Sequence, residues 1–494
     1  MLILINYHLS AVHRKNPNLL QVSARPWLHE LGIQRLKDVP DKVLDDIVAQ
    51  GIDAIYLLGV WEIGQYGYNF DKTDPALIQR YLKVLPDLNI EQDVTSTVFD
   101  VVRYSINEKE IGVEADLIQF RERLHQRGMM LWLDYVSNHA AVDSDLVASN
   151  PEYFVQSKTI DPAQQYTNGI YYAKDKYGNL WPEEVQLNHW HPEVLQSRID
   201  DLMLVAKFAD GTRADMAMLL INDEFEEIWG AIVKPQGFKR PADEFWTVAI
   251  REVKKVYPNF KLQAEVYWGR NDLLISMGFD YAYDKDKMLY DNLRDKNITS
   301  LKKYIRDRNE KLALVGSHFI ENHDEKRAAE IFGSNKMANA AGLISYTLPG
   351  MRFHFQGQWL GRKNQLDANL RRSYDMEHDM DQNTINFYNI LLPLLDDEIW
   401  HTGQYVFREV SGTSDCDKLM AWTWELDGQM ALIIVNYTPN KASGKVKLTV
   451  NQNEIHLEEK LFGESYTVSK DELERNGFFT IVEPWEGHIY YFNK

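Results

Sequence analysis

The stretch PEVLQSRIDDLMLVAKFADGTRADMAM, residues 192–218, contains the unit that decides the fold. Residues 192–211 are typical of a helix, and TRADMAM at 212–218 is typical of a strand. A helix that leads directly into the next strand is part of a βαβ unit, in which the two strands pair in parallel. The fold therefore depends on whether this unit recurs along the chain.

The same alternation recurs from residue 19 to residue 395. Besides 212–218, we predict strands at 19–27, 52–60, 129–136, 261–268, 279–284, 312–320 and 351–357. Helices are predicted at 40–51, 115–128, 192–211, 243–258, 298–309, 335–350 and 381–395. Eight strands, most of them followed by a helix, favour an α/β fold of the (β/α)8 TIM-barrel type. A doubly wound parallel sheet is the alternative, but it would rarely need eight such units in one series.

Three segments depart from this alternation. Residues 140–190 are rich in Tyr, Asn, Asp and Pro and follow the third strand as a long excursion, which we interpret as a small subdomain over the barrel mouth. Residues 222–242 lengthen the connection after the fourth strand. Short strands and turns at 400–494 predict a C-terminal antiparallel β-sandwich. The barrel would then consist of residues 1–139 and 191–399.

The composition argues against several classes of protein. The 494-residue chain has 54 basic and 73 acidic residues, a net charge of −19, and such a surface repels phosphate backbones and anionic lipid. We therefore expect neither a nucleic-acid nor a membrane partner. Residues 1–16 are apolar at first but lack a cationic leading segment, so we predict a strand there rather than a signal peptide. Together with a single cysteine, Cys416, this favours a cytoplasmic location.

Four acidic residues lie at or just after predicted strand ends: Asp134, Asp215, Glu265 and Asp324. The carboxyl ends of barrel strands meet at one rim, so these side chains would gather around one point. Arg213 lies two residues before Asp215 on the same strand, so the two side chains would point the same way. The guanidinium would keep the aspartate ionised, as a nucleophile must be. A nucleophilic carboxylate beside a second carboxyl group is the pair that retaining glycoside hydrolysis uses.

Each of these residues alone has an ordinary structural explanation, because an Asp at a strand end is more often a helix cap or an ion-pair partner. Their order along the chain is more specific. DYVSNH at 134–139, GTRAD at 211–215, Glu265 and NHD at 322–324 together resemble the four ordered motifs of the α-amylase superfamily, glycoside hydrolase family 13. The resemblance covers roughly residues 19–494.

The resemblance implies a catalytic role for each matching carboxylate. Asp215 would form a covalent glycosyl intermediate, and Glu265 would act first as general acid and then as general base. Asp324 would bind sugar hydroxyls and stabilise the transition state, while Arg213 would orient Asp215. The expected substrate is an α-glucan or another α-glucoside.

The same resemblance assigns residues around the reacting centre. His139 and His323 would donate hydrogen bonds to the sugar, while Asp134 and Asn138 would support the site. Phe99, in the stretch FDVVRY, stands where a tyrosine often stacks under the reacting sugar. Its ring would stack equally well but lacks the hydroxyl.

Several positions depart from the family's pattern. Arg103 replaces a usual Asp close to the stacking ring, and Met218-Leu219 stand where many starch-degrading amylases have Lys-His on the acceptor side. We therefore expect acceptor binding to differ from theirs. Gln186 replaces a calcium-binding Asp, and since an amide is a poorer calcium ligand than a carboxylate, we doubt that calcium binds there. We expect no other metal and no cofactor, because the sequence has no P-loop, dinucleotide fingerprint or transition-metal spacing.

Three functions stay under consideration. The first is a retaining glycosidase, an α-amylase-like hydrolase of α-glucosidic bonds in oligo- or polysaccharides. The second is a transglycosylase or glucan-modifying enzyme of the same superfamily, in which a sugar hydroxyl replaces water. The third is a non-catalytic carbohydrate-binding protein on the same fold, which the presence of Asp215, Glu265 and Asp324 disfavours.

Overall fold

Eight parallel strands close into a barrel in the computed structural model, which describes residues 13–307, 314–374 and 379–494. In chain order they are β1 (Asn18–Ser23), β2 (Ala54–Leu58), β3 (Met130–Val136), β4 (Gly211–Asp215), β5 (Lys261–Ala264), β6 (Tyr281–Tyr283), β7 (Gly316–His318) and β8 (Met351–Phe355). Each strand pairs with the next, and β8 closes the ring on β1. The predicted (β/α)8 barrel is therefore confirmed.

Helices follow most barrel strands. The main ones are Asp41–Ala49, Glu114–His125, Pro192–Phe208, Phe245–Val256, Asn271–Ser276, Leu289–Arg294, Ile298–Asp307, Asn335–Thr347 and Gln382–Leu394. Shorter helices in the barrel loops are Ala24–Glu30, Gln65–Thr73, Pro75–Val84, Ile90–Asp93, Asn222–Val233, Ala328–Ile331 and Ile399–Thr402. Within the described ranges, no helix has the length and apolar run needed to cross a membrane.

The first predicted strand, 19–27, is too long. β1 ends at Ser23, and the helix Ala24–Glu30 begins directly after it. Trp27 and Leu28 are buried on that helix, and a short apolar run does not distinguish a buried strand from a buried helix. Residues 1–12 of the strand predicted at 1–16, and residues 308–313 at the ends of two other predicted elements, lie outside the described residues.

The register of β3 and β4 determines how the site is built. All seven residues of β3 are buried, as expected for a barrel strand covered on both faces. Gly211 begins β4 opposite Trp132, and a Cβ on this glycine would lie 2.4 Å from the indole ring. Only glycine fits this close approach. The pairing then sets Arg213 of β4 beside Asp134 of β3.

The excursion after β3 has its own small sheet and core. Its antiparallel strands, in sheet order, are His139–Ala141, Leu180–Gln186 and Tyr172–Lys174, and a short helix spans Asp145–Ser149. Seven buried apolar residues form the core beneath them. A further two-stranded ribbon, Trp61–Ile63 with Val101–Ile106, lies in the loop after β2.

The C-terminal part of the chain consists of two antiparallel sheets. One has six strands in the order Gln404–Arg408, Leu419–Leu426, Gln429–Asn436, Glu486–Asn493, Glu454–Glu459 and Ser465–Ser469. The other has the strands Val410–Ser411, Ala442–Val446 and Phe478–Val482, and the helix Lys470–Arg475 precedes its last strand. A separate apolar cluster fills this region, which confirms the predicted C-terminal β fold.

Candidate active site

A cavity of about 580 Å³ opens at the carboxyl ends of the barrel strands. Every residue for which the sequence suggested a catalytic or substrate-binding role lines it: Phe99, His139, Arg213, Asp215, Glu265, His323 and Asp324. The two residues expected to support the site, Asp134 and Asn138, are buried and do not line the cavity. Residues far apart in sequence thus meet because they follow β2, β3, β4, β5 and β7.

Arg213 lies at the centre of the site and contacts four acidic side chains. Its Nη1 lies 2.7 Å from Oδ1 of Asp215 and 3.2 Å from Oδ1 of Asp134. Its Nη2 lies 2.8 Å from Oε2 of Glu265 and 3.8 Å from Oδ2 of Asp324. One fully buried guanidinium therefore serves four carboxyl groups, which its planar, forked donor geometry permits.

Burial, the largest effect, raises the pKa of Asp215 to about 8; Arg213 opposes this, while Glu265 adds to it. The guanidinium therefore does not by itself keep Asp215 ionised at neutral pH, contrary to the expectation from the sequence, because burial outweighs it. Asp215 and Glu265 contact the same cation, so the charge on Glu265 also acts on Asp215. The raised pKa of Asp215 therefore retains one proton in the site at neutral pH.

Glu265 is oriented by three donors. The Tyr267 hydroxyl donates to Oε1 at 2.9 Å, and the backbone N–H of Met216 donates to Oε2 at 2.6 Å, beside Nη2 of Arg213. Met216 directly follows Asp215 and has a φ of 41°, in the left-handed region. Such a backbone is costly for a residue with a side chain, and here it aims an N–H at the second carboxyl group.

Asp134 lies beneath the cavity. Its Oδ1 accepts a hydrogen bond from the Tyr56 hydroxyl at 2.7 Å and contacts Arg213. Burial raises the pKa of Asp134 to about 6, although Arg213 opposes the shift. These contacts brace the guanidinium from the side away from the cavity.

Two histidines line the cavity with Asp215, and their surroundings shift their pKa values in opposite directions. Burial, reinforced by Arg213, lowers the pKa of His323 to about 3, and its Nδ1 contacts the amide Nε2 of Gln21 at 2.8 Å. The neutral ring therefore carries its proton on Nε2, which lies 3.2 Å from Oδ2 of Asp324. Burial opposes protonation of His139 as well, but the carboxylate of Glu184, 3.1 Å from Nε2, raises the pKa of this ring above its usual value.

The ring of Phe99 is part of the cavity wall. Its centroid lies 5.1 Å from the guanidinium carbon of Arg213 and 5.5 Å from the ring centroid of His323. By contrast, Arg103 is exposed and pairs with Glu62 and Asp145 outside the cavity. The loss of the usual aspartate at that position therefore leaves the cavity wall itself intact.

The two residues expected on the acceptor side, Met218 and Leu219, are apolar. Met218 and Leu219 are buried in the barrel core and do not line the cavity. Met216, two residues earlier, does line it. A Lys-His pair at 218–219 has thus been replaced by core packing.

The residues at the family's calcium position do not fit the ion. Nε2 of Gln186 lies 3.1 Å from Oδ1 of Asn138, 3.0 Å from the backbone oxygen of Asn138 and 3.0 Å from that of Leu187. The amide of Asn138 donates in return to Oε1 of Gln186 at 3.3 Å. The oxygens that a calcium ion would need are therefore hydrogen-bonded to an NH2 group. In the part of the chain that the structure describes, no group of three His, Cys, Asp or Glu side chains is arranged to hold a metal.

Sequence reasoning missed two glutamates in the cavity wall. Glu183 and Glu184 both lie on the strand Leu180–Gln186, and both line the cavity. Burial, reinforced by Asp71, raises the pKa of Glu183 to about 8. The adjacent pair just before Gln186 was the only signal in the sequence, because nothing there showed that the excursion folds back over Asp215.

Known proteins resemble this chain in sequence over part of their length. No family model matches it. The α-amylase MalA of Haloarcula japonica is 25% identical over 334 residues, which are 66% of this chain and 41% of that protein. The probable oligo-1,6-glucosidase 2 of Bacillus subtilis is 23% identical over 342 residues, 59% of each protein. The chain thus covers less than two thirds of the length of these relatives.

A solved structure resembles the fold over nearly its whole length. The maltogenic α-amylase AmyB from Thermotoga neapolitana matches with a TM-score of 0.70 over 97% of this chain and 99% of that one, at 19% sequence identity. An identity this low shows the fold alone. The related sequences support the same resemblance. So do the four ordered motifs, which lie on or directly after β3, β4, β5 and β7 at one rim. In sequence and in fold, the chain is therefore similar to glycoside hydrolases of the α-amylase superfamily.

Proposed function

We propose that this chain is a retaining glycosidase that cleaves α-glucosidic bonds in oligo- or polysaccharides. The main support is the guanidinium that the two carboxyl groups share. Nη1 of Arg213 contacts Asp215, Nη2 contacts Glu265, and both carboxyl groups line one cavity. Retaining glycosidases place their two carboxyl groups about 5 Å apart, and one bridging guanidinium supports such a short separation. The names of the relatives, an α-amylase and an oligo-1,6-glucosidase, support the linkage.

In the first step, Asp215 attacks the anomeric carbon of the sugar. Arg213 holds Oδ1 of Asp215, so Oδ2 is the attacking oxygen. Glu265 gives its proton to the glycosidic oxygen as the bond to the anomeric carbon breaks. The products are a glycosyl ester on Asp215 and a free alcohol, and Glu265 is left ionised.

In the second step, ionised Glu265 removes a proton from water. The resulting hydroxide oxygen attacks the anomeric carbon, the ester bond to Asp215 breaks, and the sugar leaves with its original anomeric configuration. Oε1 of Glu265 is the oxygen that Arg213 does not hold, and its contact with the Tyr267 hydroxyl at 2.9 Å keeps it in place for both proton transfers. Asp324 and the two histidines would bind the hydroxyls of the same sugar.

Transfer to a sugar acceptor is the second candidate. Met216 lines the cavity next to Glu265, and its apolar side chain offers water no strong hydrogen bond. A sugar hydroxyl would then replace water in the second step. A time course of products from maltooligosaccharides separates the two reactions, since products longer than the starting material require transfer.

The test compares wild type with Asp215→Asn and Glu265→Gln on a panel of aryl α-glucosides, maltooligosaccharides and α-glucans. We expect each variant to lose at least about 1,000-fold in kcat, because each removes a group that reacts. The matched controls are Asp272→Asn and Glu152→Gln, two exposed carboxylates, which should keep full rate. NMR of the first product anomer should show retention of the α configuration.

Three results would overturn the proposal: no turnover of any α-glucoside by wild type, full rates in both variants, or an inverted first product.

We also propose a cytoplasmic location, which the single cysteine favours, and neither a nucleic-acid nor a membrane partner, in line with the net charge of −19.

A further inference from the structure

The cavity wall contains a donor and an acceptor side by side, at His139 and Glu184. Nε2 of the histidine lies 3.1 Å from Oε2 of the glutamate, and both residues are more than nine-tenths buried. This is a histidine–carboxylate contact, and the N–H at Nε2 has no well-aligned hydrogen-bond acceptor. Both side chains line the cavity next to Asp215. A buried, unsatisfied N–H beside a carboxylate is an arrangement that lacks a third partner.

A second pair of the same kind lies in the same cavity. Nε2 of His323 lies 3.2 Å from Oδ2 of Asp324, and this N–H also has no aligned acceptor. Two histidine–carboxylate pairs therefore line the cavity together with Asp215. Asp324 already has a proposed role in binding sugar hydroxyls, whereas Glu184 has none.

The strand Leu180–Gln186 fixes the position of Glu184. Glu184 pairs with Ala141, and Gln186 pairs with His139. The intervening Val185 is fully buried in the core of the excursion. With Val185 held in that core, the neighbouring Glu184 lines the cavity.

We propose that Glu184 is a specificity-determining residue, which together with His139 binds one hydroxyl of the sugar that reacts with Asp215. A hydroxyl is both donor and acceptor, so it can donate to the carboxylate and accept from Nε2 at once. The inference rests on the proposed function and adds a recognition contact that the four motifs do not contain. A sugar that lacks this hydroxyl leaves both buried groups unpaired, which a polar site rejects strongly.

The experiment measures kcat/KM of wild type and Glu184→Gln with an aryl α-glucoside and with its 2-, 3-, 4- and 6-deoxy analogues. The variant should lose about 10- to 100-fold on the intact glucoside, the usual effect of a hydrogen bond to a charged group. On one deoxy analogue the loss should fall below about 3-fold, because the contact is already absent. Glu152→Gln, an exposed glutamate of the same excursion, should match wild type on every substrate.

Two results overturn the inference: an unchanged rate on the intact glucoside, or an equal loss on all five substrates, which a purely structural role would give. If Glu184→Gln does not fold, wild type is tested alone, and discrimination below about 100-fold against every deoxy analogue overturns the inference. If wild type cleaves no glucoside, the proposed function fails separately. Calorimetric titration with 1-deoxynojirimycin then tests Glu184, and equal affinity in wild type and variant overturns its role.

Discussion

Nη1 of Arg213 lies 2.7 Å from Oδ1 of Asp215, two residues along the same strand. The strand geometry makes this contact unavoidable, because alternate side chains point the same way. What the pair does depends on a third residue, Glu265, whose carboxyl group shares the guanidinium. The site is therefore a coupled set of charges, in which a change to one member alters the others.

Replacing the guanidinium should abolish activity even when the positive charge is kept. Arg213→Lys presents one compact ammonium, which cannot hold Asp215 and Glu265 on two separate nitrogens. We expect kcat/KM on an aryl α-glucoside to fall by about 1,000-fold or more. Arg251→Lys, an exposed arginine that contacts Glu252, is the matched control and should be unchanged. Activity of Arg213→Lys within tenfold of wild type would show that the shared guanidinium is unnecessary.

Replacing the buried carboxyl group of Asp215 by an amide should stabilise the protein, and the gain should depend on pH. The pKa of Asp215 is raised from 3.8 to about 8, first by burial, so the group is protonated in the folded protein and ionised in the unfolded chain between these values. Stability is therefore lost as pH rises from about 4 towards 8. Asp215→Asn should gain on the order of 1–3 kcal/mol at pH 8, less than the full shift because Arg213 loses a partner, and almost nothing at pH 4.

Thermal unfolding of wild type and Asp215→Asn across this pH range measures the effect. Asp272→Asn, exposed, should show no pH-dependent difference. A constant difference between wild type and Asp215→Asn at every pH would contradict the shifted pKa.

The rate should depend on pH through the pair of Asp215 and Glu265. Catalysis needs one proton on the pair: with none Glu265 cannot act as an acid, and with two Asp215 cannot attack. Since burial raises the pKa of Asp215 to about 8, the alkaline limb of a kcat/KM profile should lie near pH 8, with an acidic limb below it. In Glu265→Gln the neighbouring charge is gone, so residual activity should rise from a lower pH. An alkaline limb that is unchanged in this variant would contradict the coupling.

The ring of Phe99 should contribute to sugar binding through stacking. It lies 5.1 Å from the guanidinium carbon of Arg213, in the cavity wall. Phe99→Ala should raise KM or lower kcat/KM by about tenfold, since aromatic contacts are worth about 1 kcal/mol beyond the area they bury. Phe99→Tyr should keep the ring and stay within about threefold of wild type. Equal losses in the two variants would contradict a stacking role, because Phe99→Tyr keeps the aromatic face.

Chelation should leave the protein unaffected. The amide of Gln186 donates to the oxygens of Asn138 and Leu187 that a calcium ion would need. EDTA should therefore not change Tm or kcat. Gln186→Glu replaces the donating amide by a carboxylate that faces these oxygens, so the free energy of unfolding should fall by about 1–3 kcal/mol. Adding calcium should recover part of this loss. Gln452→Glu, an exposed position in the C-terminal region, is the control. A lower Tm of wild type in EDTA would contradict the amide bridge.

Much of the barrel could be predicted, because its strands and helices leave recognisable hydrophobic patterns in short segments of sequence. The seven buried residues of β3 and the alternation of helix and strand are properties of short segments. The C-terminal end of β1 could not be predicted, because an apolar residue such as Trp27 fits a buried strand as well as the buried helix in which it lies. Asp215 and Glu265 could be named because each lies at the end of a strand, and all strand ends meet at one rim.

The sequence by itself determined the order of strands, the four motifs and the departures at Gln186 and Met218, since these follow from residue type and spacing along the chain. Only the tertiary structure decided that Glu184 of the excursion reaches His139, and that burial rather than Arg213 dominates the protonation of Asp215. The physical reason is the same in both cases. Contacts between residues 45 positions apart, and the removal of water around a charge, depend on how segments pack, which no local pattern encodes.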